Sequence, residues 1–344
     1  MKRTFGESVS RGEIRVDLVY LWCDMADPAF RAKRNETLAK WGKAVDLKSN
    51  ADCRAIAHDE LRFSLRSVEM HAPWVNRVFV VMNDENTPPG WLRTDRSDLR
   101  VVKLSEILPS EYLPCYCSDT IEHHLWRIPG LSKRFLYAND DMMFGKPTSP
   151  DFFFAPDGKP ICRFGSPRTI RKGSPLYTTY HACMENAEAL VRDAFGLHGD
   201  FARAYGHSPH HNIDAYDRDD MRECFERFAG RFEESGAFRY PFRSDRNVQR
   251  LLYTHYAIAV GRGHFRRAPF NTAWDKPWWR YLIPSRGDTL QFFGRGWEHG
   301  EEQLARYRPH LFCFNDGVDS TDADRAWLDG FYRRTFPVKS KFER

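Results

Sequence analysis

No apolar run in this sequence approaches the ~18 residues a membrane-spanning helix needs, so no integral membrane segment is expected. The first residues, Met1-Lys-Arg-Thr-Phe-Gly-Glu-Ser8, hold no apolar core of the kind that marks a secretory leader. The eight cysteines are scattered, with no Cys-x-x-Cys pair and no dense pattern, which excludes a zinc ribbon or a disulfide scaffold and points to a reducing cytoplasm. Basic residues form no tract: 52 Lys and Arg are mixed with 47 Asp and Glu for a net charge of +5, an excess that suits anionic substrates without demanding nucleic acid. Neither internal repeats nor low-complexity linkers appear. What the chain does have is aromatic and apolar content: 42% hydrophobic residues, 26 Phe and 10 Trp among 344, enough for one large elaborated domain or two closely packed ones.

Apolar runs alternate with helical periodicities through the first half. Val16–Trp22 reads as a buried strand, Asp59–His71 as a helix with Leu61, Leu65 and Val68 on one face, Arg77–Asn83 and Arg100–Leu104 as strands. Ser118 is a plausible cap for a helix over Asp119–Ile128, and a further strand ends at Asn139. This alternation implies an α/β fold with a mainly parallel, Rossmann-like sheet across residues 15–165. From 166 to 265 the texture is helical, with helices expected over Thr179–Phe195, Ile213–Phe228 and Asp245–Val260, and is read as an insertion or cap rather than a second sheet. Residues 266–344 regain sheet texture at His310–Gly317 and close with an amphipathic helix over Asp322–Phe336, a segment expected to return to the core.

Several residues stand where chemistry is expected. The strand end Asn139-Asp140-Asp141 offers two carboxylates at the carboxyl edge of a sheet, where ligands bind and where a hard divalent cation would find oxygen ligands; the same residues also suit a plain turn. Asp24 and Asp27 follow the first strand in the same way. Arg62 and Arg66, four apart on one helix face, repel each other unless acids or a phosphate lie between them. Glu122 falls at the margin of its helix's apolar stripe, where a partly buried carboxylate can face a cleft. The loop Gly206-His-Ser-Pro-His-His211 fits no common zinc spacing and suggests an imidazole for proton transfer or phosphate contact, or a structural one. Arg243 stands beside Ser244 and Asp245 at an expected helix start, a good place for an anion, unless it simply pairs with Asp245.

Taken together these blocks resemble the Stealth family, which includes bacterial capsular polysaccharide phosphotransferases and the catalytic subunit of the lysosomal-enzyme N-acetylglucosamine-1-phosphotransferase. Four family blocks have counterparts here. Val16–Pro28 resembles the first, although Cys23-Asp-Met-Ala-Asp-Pro28 lacks the glycine the family usually has there. Asp59–Val75 and Ile121–Asp141 resemble the second and most specific. His207-Ser-Pro-His210 with Arg243-Ser-Asp and Gln249 resembles the third, and Phe312–Gly317 the fourth.

The resemblance implies a GT-A-like core at 1–165, a helical insertion at 166–265 carrying a catalytic His and Arg, and transfer of a hexose-1-phosphate from a nucleotide-diphosphate sugar to a glycan hydroxyl in capsular or cell-surface polysaccharide synthesis. Glu122, Asp141, His207 and Arg243 match the family's catalytic set. Asp141 and Asp140 are the expected ligands of Mg²⁺ or Mn²⁺, and His207 the expected base. Asp24, Asp27, Arg62, Arg66, Asn83, His123, Asn139 and His210 form the expected substrate-contacting set. Peripheral association with capsule machinery at the inner face of the membrane is compatible with this. A metal-dependent glycosyltransferase and a catalytically silent glycan-binding protein are the alternatives.

Overall fold

The structure is a computed structural model that describes residues 15–41, 59–209, 211–268, 271–272, 289–293, 297, 300–316 and 320–344. Its main sheet is built from β1 (Val16–Leu21), β2 (Val78–Met82), β3 (Leu99–Lys103) and β4 (Arg134–Asn139), with α1 (Pro28–Trp41), α2 (Glu60–His71), α3 (Leu104–Ile107) and α4 (Ser118–Glu122) in the connections. These four strands are parallel and stand in the order β3-β2-β1-β4. The apolar strands are continuous because both faces are covered: Val19, Phe79 and Tyr137 enter one core, while Leu18, Val80 and Leu136 enter another. The α/β, mainly parallel architecture is therefore present.

After β5 (Met142–Phe144) and β6 (Ile161–Pro167) come α5 (Thr179–Phe195), α6 (Gly199–Ala204), β7 (His207–Pro209), β8 (Asp214–Asp217), α7 (Arg218–Ser235), α8 (Leu251–Ala259) and β9 (His264–Arg267). This region is less purely helical than expected. Ile213–Phe228 does not form one helix: β8 joins the main sheet antiparallel to β4, and α7 starts only at Arg218, capped by the Asp217 carboxylate, which accepts from the N–H groups of Asp219 and Asp220. Ile213 and Ala215 face one core and Tyr216 the other, a period of two that so short an apolar run hides. A second sheet expected to be absent is present, because β7, β6 and β9 pair with one another. The helix expected from Asp245 starts at Leu251, since Asn247 instead ties the preceding turn to Ser244 and Ala237. The helix expected over Asp119–Ile128 gives way after Glu122 to a 3₁₀ turn, Leu125–Arg127, ahead of Pro129.

The last segment holds β10 (Asn271–Thr272), β11 (Thr289–Phe293), α9 (Gly300–Tyr307), β12 (Leu311–Asn315) and α10 (Asp322–Thr335). Here β12 pairs antiparallel with β5, and Phe312 and Phe314 pack with Phe331 and Tyr332 of α10 around Phe63 of α2. The C-terminal segment thus returns to the core. No helix among the described residues is long and apolar enough to cross a membrane.

Candidate functional site

In a strand order of 3-2-1-4 the winding reverses between β1 and β4, and the loops leaving their carboxyl ends part to form a crevice. Two cavities open there, of about 710 and 620 Å³, and both are bordered by Asn139, the last residue of β4, and Asn315, the last residue of β12.

The smaller chamber is acidic. Among the described residues seven carboxylates line it, those of Asp24, Asp27, Asp59, Glu60, Asp140, Asp141 and Asp316, without a described Lys or Arg. Some already have structural work. Asp27 accepts from the N–H groups of Ala29 and Phe30 at the start of α1 and from Thr87 N–H at 3.1 Å; the Thr87 contact is the main reason its carboxyl lies below the usual range. Asp24 closes its own turn through Ala26 N–H at 2.8 Å. Asp140 and Asp141 are different. Burial, then the nearby Glu60 and Asp141, push the Asp140 carboxyl well above its ordinary value. Asp141, 8% exposed, accepts at Oδ2 from Asn315 Nδ2 at 2.8 Å and from the Cys313 thiol at 3.2 Å, while its Oδ1 is buried without a hydrogen-bond partner.

A buried anionic oxygen left unpaired is costly, and a cation satisfies it. Ligand atoms of Asp141, His211 and Cys313 lie within 4.8 Å of one another. This set, with Asp140 beside it, fits a divalent metal.

The larger chamber is lined by Arg168, Arg243 and Arg250, each set against carboxylates. Arg243 donates from Nε to Asp119 Oδ2 and from Nη2 to Ser118 Oγ, both at 2.8 Å. Arg250 donates from Nε to Asp214 at 3.2 Å, with its Nη1 3.8 Å from Glu122 Oε1. Arg168 forks onto Glu188. Glu122, at the end of α4 and only 3% exposed, accepts at Oε1 from Tyr137 at 2.9 Å, and its Oε2 is buried with no partner. Burial raises its pKa from 4.5 to about 7 against the opposing pull of Arg250. A carboxylate that changes charge near neutral pH beside Arg250 and Arg243 can exchange a proton with a bound hydroxyl.

Glu122 and Arg243 therefore share the larger chamber, Asp24, Asp27, Asp140 and Asp141 line the smaller one, and Asn139 borders both. Other expected residues are elsewhere. His207 is not among the residues lining either chamber; its ring stands edge-on to Phe265, and its carbonyl accepts from Arg168 at 2.6 Å. Ser208, Pro209 and His211 of the same stretch line the larger chamber. His210 lies outside the described residues.

Arg62 and Arg66 do not line the chambers. Glu343, brought in by the C-terminus, receives both: Arg66 holds it bidentately at 2.7 Å, Arg62 approaches to 3.2 Å and also takes Asp59. Asn83 is buried and donates to Cys115 C=O, and His123 is buried with Nε2 on Val248 C=O, so both are framework contacts outside the cavity walls. Arg243 sits at α4 rather than at a helix beginning near Asp245.

Sequence reasoning missed Arg168, Arg250, His211, Cys313 and Asn315. The last two belong to the strand read over His310–Gly317, which ends in Asn315-Asp316 as the earlier one ends in Asn139-Asp140, a repeat that could have marked them.

Residues 54–162 match Stealth protein CR2, conserved region 2, and residues 302–344 match Stealth protein CR4, conserved region 4. The chain is 32% identical over 335 residues to exopolysaccharide phosphotransferase SCO6021 of Streptomyces coelicolor, covering 96% of this chain and 57% of that protein. It is 30% identical over 339 residues to exopolysaccharide phosphotransferase CpsY of Mycobacterium tuberculosis, covering 96% and 58%. It thus spans rather more than half the length of these relatives. Among solved structures, galactosyltransferase LgtC aligns with a TM-score of 0.43 at 9% identity, covering 95% of this chain and 97% of that one. Mouse xyloside xylosyltransferase 1 aligns with 0.40 at 10%, covering 87% and 97%; likenesses this slight carry no argument. The two conserved regions hold Glu122, Asp141 and Asn315, residues of both chambers and of their border, and the chain belongs to the Stealth family.

Proposed function

We propose that the protein transfers a sugar-1-phosphate from a nucleotide-diphosphate sugar to a glycan hydroxyl in exopolysaccharide synthesis. The observation that carries this reading is the junction of an acidic, metal-suited chamber with an arginine chamber holding a buried Glu122 whose Oε2 has no partner. A diphosphate across Asn139 and Asn315 would place its phosphorus atoms between the two. The name of the relatives, exopolysaccharide phosphotransferase, supports the same chemistry.

Asp141 and Asp140, with His211 alongside, would hold the divalent ion, which supplies positive charge against the diphosphate when bound. The carboxylates of Asp140 and Asp141 suit Mg²⁺ or Mn²⁺ alike, and the His211 imidazole beside them would be a poorer donor to Mg²⁺, which takes oxygen ligands, than to a transition-metal ion. Arg243 keeps Nη1 clear of its bonds to Asp119 and Ser118 and, with Arg250, stabilises charge on the sugar-linked phosphoryl group. Glu122 Oε2 takes the proton of the acceptor hydroxyl. The freed oxygen attacks the sugar-linked phosphorus, a phosphodiester forms, the bridging P–O bond to the other phosphate breaks, and nucleoside monophosphate leaves. The base expected at His207 is thus reassigned to Glu122, on the cavity wall. Trp91 and Trp22 in the acidic chamber offer apolar faces for the nucleoside. All seven described cysteines are free thiols, which supports a cytoplasmic location.

The test is a screen of nucleotide sugars with Mn²⁺ or Mg²⁺ and a glycan acceptor, with the released nucleotide identified by mass. Monophosphate is the expected product; diphosphate would make the protein a glycosyltransferase, and melting unchanged by metal and nucleotide sugar would favour a catalytically silent glycan-binding protein that does not take the donor.

A further inference from the structure

We infer that Arg168, Glu188 and Gln291 are positioning residues that fix the histidine segment, Gly206 to Pro209 and His211, at the junction of the two chambers; only the kinetic part of this inference rests on the transferase reading. The segment needs such fixing. Its pairing with β6 is irregular, the register shifting between Phe164 and Pro167, and the chain enters it through Gly206 in a left-handed conformation at φ +78°. The backbone bond from Arg168 N–H to Gly206 C=O at 2.8 Å and the interrupted ladder are supplemented by side chains.

Arg168 follows β6 and is 7% exposed, and Glu188 projects from α5 and is 2% exposed. The guanidinium forks onto both oxygens of Glu188 and also donates from Nη1 to His207 C=O at 2.6 Å. Glu188 Oε1 in turn accepts from Gly206 N–H at 2.8 Å. One buried ion pair therefore serves two backbone groups where the segment begins. At its far end Gln291 of β11, 3% exposed, donates from Nε2 to His211 C=O. Pinned at 206–207 from one sheet and at 211 from another, the segment presents Ser208, Pro209 and His211 to the cavity, with the His211 imidazole near Asp141 and Cys313. Although Arg168 lines the phosphate-facing chamber, its guanidinium is committed to Glu188 and the backbone, so it acts through the segment rather than on the substrate. Partners of this kind typically matter by 10–100-fold to metal affinity or turnover.

Arg168→Gln alone strands the Glu188 charge and is expected to cost folding, so the informative variants are the neutral pair Arg168→Gln with Glu188→Gln, and separately Gln291→Met. Mn²⁺ affinity is read from the electron paramagnetic resonance of the free ion, independently of turnover, beside kcat and the donor KM. Both variants should bind Mn²⁺ about tenfold more weakly and lose about tenfold or more in kcat with donor KM within about twofold, and Arg168→Lys, which cannot fork, should not rescue. Wild-type Mn²⁺ affinity and kcat in either variant would overturn the inference, as would a raised donor KM with unchanged Mn²⁺ affinity, which would make Arg168 a substrate ligand. Should the wild-type protein release nucleoside diphosphate, the transferase reading fails while the Mn²⁺ result still decides the positioning.

Discussion

The two chambers meet at Asn139 and Asn315 yet are built on opposite electrostatic plans. In the arginine chamber each lining arginine already faces a carboxylate, so the site is preorganised: its donors are held in place before any substrate arrives. In the acidic chamber carboxylates crowd together, one oxygen of Asp141 has no partner, and Asp140 is pushed toward its neutral form by burial and its neighbours. The arginines of the first chamber are paired by protein carboxylates; the second leaves a buried carboxylate oxygen of Asp141 that a cation would satisfy. Under the proposed function that contrast would divide the labour into a half that binds charge and a half that positions protons and stabilises the reacting group.

Substitutions can break or sharpen this contrast. Asp141→Asn should do the most, because it removes the buried anion on which the acidic chamber is organised: turnover falls on the order of 10³-fold, and Mn²⁺ affinity falls with it. Retained Mn²⁺ affinity would move the metal elsewhere. Glu122→Gln should lower kcat on the order of 10²-fold without weakening Mn²⁺ binding, and remove the rise in rate through pH about 7.

The same substitution has a stability signature of known sign. The folded-state pKa of Glu122 is raised, so the protein is favoured with this group protonated, and that contribution is lost as pH rises from 4.5 through about 7. Glu122→Gln, with Arg250 still paired to Asp214, should therefore melt higher than wild type at pH 8 and equally at pH 4.5.

His211→Ala should reduce turnover by tenfold or more through the metal, whereas His207→Ala should change it by less than about fivefold, as suits a ring outside the cavity wall. The reverse order would restore His207 as the base. Smallest in activity is Glu343→Gln. It should cost about 3 kcal/mol in urea unfolding by leaving Arg66 and Arg62 without their buried carboxylate, and leave kcat/KM of the folded protein unchanged.

Much of the site was legible where chemistry coincides with a sequence period. The strand ends at Trp22 and Asn139 were visible because continuously apolar strands stop abruptly at acids, and Glu122 was visible because it sits one residue off an apolar stripe. The rest depends on partners far away in the chain. Arg66 reads as a phosphate ligand until Glu343, 277 residues later, is folded onto it. The imidazoles of His207 and His211 are equivalent in sequence, and only the pinning of β7 decides which reaches the wall. Arg250 lay inside an expected helix with no mark to distinguish it, and β8 was hidden because its four residues run directly into α7. Local periodicity shows where a chain turns toward a ligand; it does not show which charges tertiary structure has already neutralised.

The division between the chambers is tested most directly by a nucleotide-sugar donor labelled on its sugar-linked phosphorus. The account predicts that the label enters the glycan product as a phosphodiester while unlabelled nucleoside monophosphate is released, with Asp141→Asn and Glu122→Gln both suppressing incorporation. Label departing in nucleoside diphosphate, with an unlabelled glycan, would contradict it.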